Sequence, residues 1–122
     1  MRIGELAARA GVSVRSLRYY EEQGLLTSVR SPSGHRRYAE GQVERVLLIQ
    51  RLFAGGLSSR AIVDLLPCVD APSADTSEAA LKRMRQERER LDAHIEDLIK
   101  TRAVLDELIA ANRAHRRELA SA

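Results

Sequence analysis

No glycine or proline interrupts residues 75–122. Over that stretch Leu81, Met84, Arg88, Leu91, Ile95, Leu98, Arg102, Leu105, Ile109, Asn112, Arg116 and Leu119 recur in steps of three and four. This is a heptad, with Leu, Arg, Ile, Arg, Ile, Arg at a and Met, Leu, Leu, Leu, Asn, Leu at d. One helix over 76–119 would run about 66 Å at about 1.5 Å per residue. So long and narrow an apolar stripe needs a second helix to cover it. A hairpin within the chain would require a break that the segment lacks, so a second copy is the simpler partner. The dimerising residues are then Leu81, Met84, Leu91, Ile95, Leu98, Leu105 and Ile109. Arginines at a lay their stems along such a seam and keep their heads in water. They restrict partner and register at some cost in stability.

The first half has another character. Residues 1–60 carry ten arginines, no lysine and five carboxylates, whereas residues 61–122 carry ten basic and twelve acidic residues. Positive charge gathered in one half suits an anionic partner there. Arginine is the side chain whose fork matches phosphate or guanine. Aromatic residues are scarce, three Tyr and one Phe, so the core must be aliphatic. The single cysteine, Cys68, excludes an internal disulfide framework. No apolar run spans a membrane and no signal peptide opens the chain, so the cytoplasm is the expected location.

Local signals divide residues 1–70. Ile3, Leu6, Ala7 and Ala10 have helical spacing and Gly11 follows as a left-handed stop. Ser13 is a good N-cap for a second helix whose inner face is Val14 and Leu17, and Gly24 ends it. Two short helices joined by a tight turn make a helix-turn-helix. Residues 26–30 and 35–38 then read as short strands about the turn Ser31-Pro32-Ser33-Gly34, forming a wing. Val43, Val46, Leu47, Ile49, Leu52 and Phe53 fit a buried helix over 40–54, stopped at Gly55-Gly56. Ser58 caps a short helix that buries Ile62, Leu65 and Leu66 and ends at Pro67. Residues 71–75 are a linker by composition, and Asp75 with Glu78 forms a capping box for the coil over 76–122. The expected fold is mainly α: a winged helix-turn-helix domain (1–70), the linker and a dimerisation helix.

Arg15, Arg18, Tyr19 and Glu22 share the outward face of the second helix. An α-helix fits the major groove of DNA. Arg15, near the helix start, is placed for base edges, and Arg18 for phosphate. Ser13 and the helix N-terminus add phosphate donors. Tyr19 adds flat surface and a hydroxyl, while Tyr20 lies nearer the buried side with its hydroxyl toward the backbone. Tyr38 stands beside Arg36 and Arg37 on the returning strand of the wing. Neither a nucleophile with a base, nor a phosphate-cradling glycine loop, nor a carboxylate pair in a pocket is apparent, so the chain does not read as an enzyme. No cofactor is evident. His35, His94 and His115 lack companions at metal-ligand spacing, no metal site is assigned, and Cys68 reads as a small hydrophobe more readily than as a sensor thiol.

The combination of IGELAARAGVSVRSLRYYEEQGLL, SGHRRY and a long coil resembles the MerR family of bacterial transcription regulators. That resemblance implies a winged helix-turn-helix and a homodimer held by antiparallel coils. It implies recognition-helix contacts from Ser13, Arg15, Arg18, Tyr19 and Tyr20, and wing contacts to phosphate from Arg36, Arg37 and Tyr38. It further implies a palindromic promoter site, bending and untwisting of the promoter, and RNA polymerase as a partner. Two departures stand out. Phe53 replaces a basic residue common in the third helix, and the cysteine set of metal-sensing relatives is absent, which leaves the effector unassigned. Two other classes of function fit the same pattern: an architectural, excisionase-like DNA bender, and a coiled-coil interaction module with a basic head.

Overall fold

A computed structural model describes residues 1–71 and 73–121, with the backbone alone for 74–76. It contains α1 (Ile3–Ala10), α2 (Val14–Glu22), β1 (Val29–Arg30), β2 (Arg36–Arg37), α3 (Gln42–Ala54), α4 (Ser59–Asp70) and α5 (Ala74–Ser121). Compact units comprise Met1–Glu87 and Arg88–Ala122. Among the described residues no helix is long and apolar enough to cross a membrane.

Within Met1–Glu87 the helix-turn-helix forms as its punctuation predicts. Gly11 takes the left-handed conformation (φ 71°) and its N–H returns to the Ala7 carbonyl, a geometry that disfavours any residue with a Cβ. Ser13 is extended and its hydroxyl accepts the Ser16 N–H at 3.0 Å. Leu6 and Leu17 are fully buried together with Leu25, Val46, Ile49 and Ile62. Each such side chain contributes about 1.5–3 kcal/mol by leaving water. The wing is shorter than expected: only Val29↔Arg37 and Arg30↔Arg36 pair, antiparallel. Its turn closes as expected, with the Gly34 N–H on the Ser31 carbonyl at 2.8 Å and Gly34 at φ 83°. Beyond the wing, Tyr38 donates its N–H to the Met1 carbonyl at 2.8 Å, which ties the returning strand to the chain start.

Two expectations need correction. Helix α3 is buried on one face only: Val46 and Ile49 are covered, whereas Leu47 and Leu48 are exposed. Proline 67 does not end α4, which continues through Asp70 with Pro67 inside it. Proline removes one backbone donor and crowds the preceding turn, so something must hold the last turn. The Arg45 guanidinium does so, gripping the Asp70 carboxylate through both terminal nitrogens (Nη2 to Oδ2 at 3.2 Å) while Nε donates to the Leu25 carbonyl at 2.9 Å. The Ala71 N–H also closes on the Pro67 carbonyl at 3.0 Å.

Helix α5 begins at Ala74, earlier than expected. Pro72 of the expected linker and the Asp75 side chain of the expected capping box lie outside the described residues. The first turns of α5 belong to the first unit. There Ala80 is buried and Arg83 approaches Asp64 of α4 at 3.6 Å. Further along, Ile95, Leu98, Leu105 and Ile109 are about half exposed, as are Leu81 and Met84 nearer the start, and Leu91 is partly covered.

Candidate nucleic-acid interface

Helix α2 carries the arginines on its open face. Arg15, Arg18 and Tyr19 are exposed, while Leu17 and Tyr20, on the other side, are buried. Among the described residues, Arg15 and Arg18 carry neither an ion pair nor a hydrogen bond. Two unpaired guanidinium groups on one short helix leave their charge available to an anion. Ser13 is exposed but engaged: besides accepting the Ser16 N–H it donates to the Ser16 hydroxyl at 3.0 Å. Its first contribution is to set the helix start, which fixes where Arg15 points.

An aromatic cluster braces this helix from behind. Phe53 of α3 stacks on Tyr20, with centroids 5.6 Å apart and planes 19° apart, and lies 6.5 Å from Tyr19. Tyr19 also shares a 2.9 Å hydrogen bond with Ser59 at the start of α4. Phe53, where the resemblance implied a basic residue, thus has a structural account. The position supports the recognition helix through ring packing, which contributes about 0.5–1.5 kcal/mol per pair beyond area burial. Tyr20 is 8% exposed, so its ring packs as expected and its hydroxyl is what remains to reach outward.

Glu21 joins α2 to the wing. Its carboxylate accepts from the Ser28 hydroxyl at 2.5 Å, the Tyr38 hydroxyl at 2.9 Å and Arg36 at 3.1 Å. Burial pushes the carboxyl up, but the Ser28 and Tyr38 hydrogen bonds and the Arg36 charge outweigh it and hold Glu21 below the usual carboxylate range. Tyr38 titrates higher than usual through burial and through its bond to the Glu21 charge. The side chain of Tyr38 is 2% exposed. Tyr38, expected to meet phosphate, here gives its hydroxyl to Glu21 and anchors the wing. Arg36 and Arg37 are both exposed, and successive residues of a strand face opposite sides. Arg36 reaches toward α2, and Arg37 stands free on the other face.

Sequence reasoning passed over Glu21 and Arg45. A signal for Glu21 existed, since it lies four residues after buried Leu17 and therefore on the inner side of α2, where a carboxylate needs partners. None existed for Arg45, whose partners stand 20 residues before and 25 after it. Among the described residues no group of three or more His, Cys, Asp or Glu is placed to hold a metal ion. Cys68 is partly buried, with Sγ 3.7 Å from the Ser77 hydroxyl.

A helix-turn-helix with unpaired arginines on its second helix, braced through the Arg36–Glu21 ion pair to a wing that also carries Arg30 and Arg37, defines a DNA-binding protein. Comparison with known proteins makes the class specific. Residues 1–67 match the profile of the MerR HTH family regulatory proteins. The chain is 32% identical over 114 residues to the HTH-type transcriptional regulator HmrR of Rhizobium leguminosarum bv. viciae, covering 91% of this chain and 85% of that one. It is 35% identical over 116 residues to the mercuric resistance operon regulatory protein of Pseudomonas fluorescens, covering 93% and 78%. Among solved structures it resembles a MerR family transcriptional regulator from Listeria monocytogenes (TM-score 0.79, 28% identity, 89% and 83% covered). It also resembles HiNmlR, a MerR family regulator lacking the sensor domain, bound to promoter DNA (TM-score 0.74, 25% identity, 89% and 86% covered). The chain belongs to the MerR family: it is a DNA-binding transcriptional regulator and not an enzyme.

Proposed function

We propose that the chain acts as a homodimer on a palindromic promoter site, with the α2 helices of the two copies in successive major grooves. The observation that carries this is the pair of free guanidinium groups, Arg15 and Arg18, on an exposed helix face beside the Arg36–Arg37 strand. Arg15 reads base edges near the start of α2. Arg18, Tyr19, the Tyr20 hydroxyl, Ser13, Arg36 and Arg37 meet sugar and phosphate, and so position the reader without carrying sequence information. Exposed apolar residues from Leu81 to Ile109 support dimerisation through α5. Two half-sites held by one dimer offset the cost of bending and untwisting the spacer, a cost of about 1–6 kcal/mol for a moderate bend. A promoter reshaped in this way is then presented to RNA polymerase.

Selection of bound sequences from a random duplex pool, followed by gel-shift titration, tests this. A palindrome should emerge, and Arg15→Ala should weaken its binding by about 1–3 kcal/mol and relax base preference. Arg36→Ala should weaken binding evenly across sequences and reduce the salt slope by about one. Selection of no sequence, or equal loss of preference from both changes, would contradict these roles.

A further inference from the structure

We propose that Glu22 is a second base-reading residue of α2 and selects cytosine; this rests on the placement of α2 in the major groove proposed above. Leu17 and Tyr20 are the buried residues of α2. At about 3.6 residues per turn, the line opposite them runs through Arg15 and Glu22. These two stand two turns apart and within about 20° of each other around the helix axis. Both are exposed. A groove that receives Arg15 therefore receives Glu22 as well, about 10 Å further along the helix, a distance of about three base-pair steps. Helix α2 has nine residues, a length of about 13 Å, so its last turn stays within reach of a groove about 12 Å wide.

No group within the protein engages this carboxylate. Glu22 shares a shallow cleft with Arg18, Glu21 and Arg36. Arg36 is taken by Glu21 at 3.1 Å. Arg18 stands one helical turn before Glu22, a spacing that permits an ion pair, although with the cation first it is the weaker order. Among the described residues Glu22 forms neither an ion pair nor a hydrogen bond.

An unpaired carboxylate in the middle of a face that meets a polyanion repels it, unless a donor stands opposite. In the major groove the donors are the amino groups of cytosine and adenine. Adenine flanks its amino group with its own N7 and with O4 of the paired thymine, two acceptors that repel a carboxylate. Cytosine flanks its amino group with an acceptor on one side only, O6 of the paired guanine. The same groove thus meets a donor fork at Arg15 and an acceptor at Glu22, and the acceptor favours cytosine.

Selection from a random duplex pool with the unsubstituted chain, Glu22→Gln and Arg15→Ala tests this. The unsubstituted chain should enrich cytosine at one position of each half-site, about two or three base pairs from the position that Arg15→Ala relaxes. Exchange of that pair for adenine with thymine should weaken binding about tenfold by gel shift. Glutamine sets a donor beside its acceptor and matches adenine N6 and N7. Glu22→Gln should therefore move the preference at that position from cytosine to adenine and leave the Arg15 position as it was. An unchanged profile overturns the inference. So does equal tightening on every sequence with a salt slope steeper by about one, the behaviour of a carboxylate that only repels phosphate. Failure of the unsubstituted chain to enrich any sequence is a distinct result: it overturns the placement of α2 itself, and this inference with it.

Discussion

Replacing Glu21 by alanine should uncouple the wing from α2. The substitution leaves the Tyr38 hydroxyl, on a side chain 2% exposed, without its acceptor. A hydrogen bond to a charged group contributes about 1.5–3 kcal/mol. The Ser28 bond at 2.5 Å is part-buried and adds a smaller amount. Arg36 is about half exposed, so its ion pair is discounted to less than about 1 kcal/mol. The expected loss is about 3 kcal/mol, which at an m of about 2 kcal/mol/M moves the urea midpoint down by about 1.5 M. Unfolding followed by circular dichroism at fixed chain concentration and pH 7 measures it. Tyr38→Phe removes the stranded hydroxyl, so in that background Glu21→Ala should cost about half as much. The effect also depends on pH. Because the folded carboxyl titrates below its unfolded value, its stabilisation is complete above about pH 5 and drains as pH falls through the lowered value. The gap between wild type and Glu21→Gln should therefore narrow on acidification. A loss under about 1 kcal/mol at pH 7, or an undiminished loss in the Tyr38→Phe background, would refute this account of the wing.

Other changes test other joints. Phe53→Ala removes the ring behind Tyr19 and Tyr20 and should cost about 3 kcal/mol by thermal or urea unfolding; an Arg at that position should cost stability too, even if it gains a phosphate contact. Arg45→Ala frees the last turn of α4 and strips the Leu25 carbonyl of its donor, for a loss of about 2 kcal/mol; hydrogen exchange should speed up at residues 68–71 before it does in α1 or α2. Ser58→Ala removes the cap that accepts the Ala61 N–H at 3.1 Å and should cost about 1 kcal/mol in the same unfolding assay.

Local chemistry made much of this protein legible from its residues alone. Gly11, Ser13, Gly34 and Ser58 act on neighbours within a few residues, so caps and turns were readable, and the 3.6-residue period located the cores of α1, α2 and α4. The heptad over 81–119 likewise required only spacing. What the sequence left open involves partners far apart along the chain. Proline 67 read as a stop because an isolated helix would break there, but Arg45, 25 residues before Asp70, holds the turn that follows. Tyr38 read as a contact because it neighbours two arginines, and only packing against α2 showed that Glu21 takes its hydroxyl and the core takes its ring. Phe53 stood out as a missing charge until the fold set it against Tyr20. Residue order determined which segments are helical and which face of each is apolar. Tertiary packing decided which arginines stay free for an anion and which are spent inside the protein, because that depends on carboxylates and carbonyls the fold brings within about 3 Å.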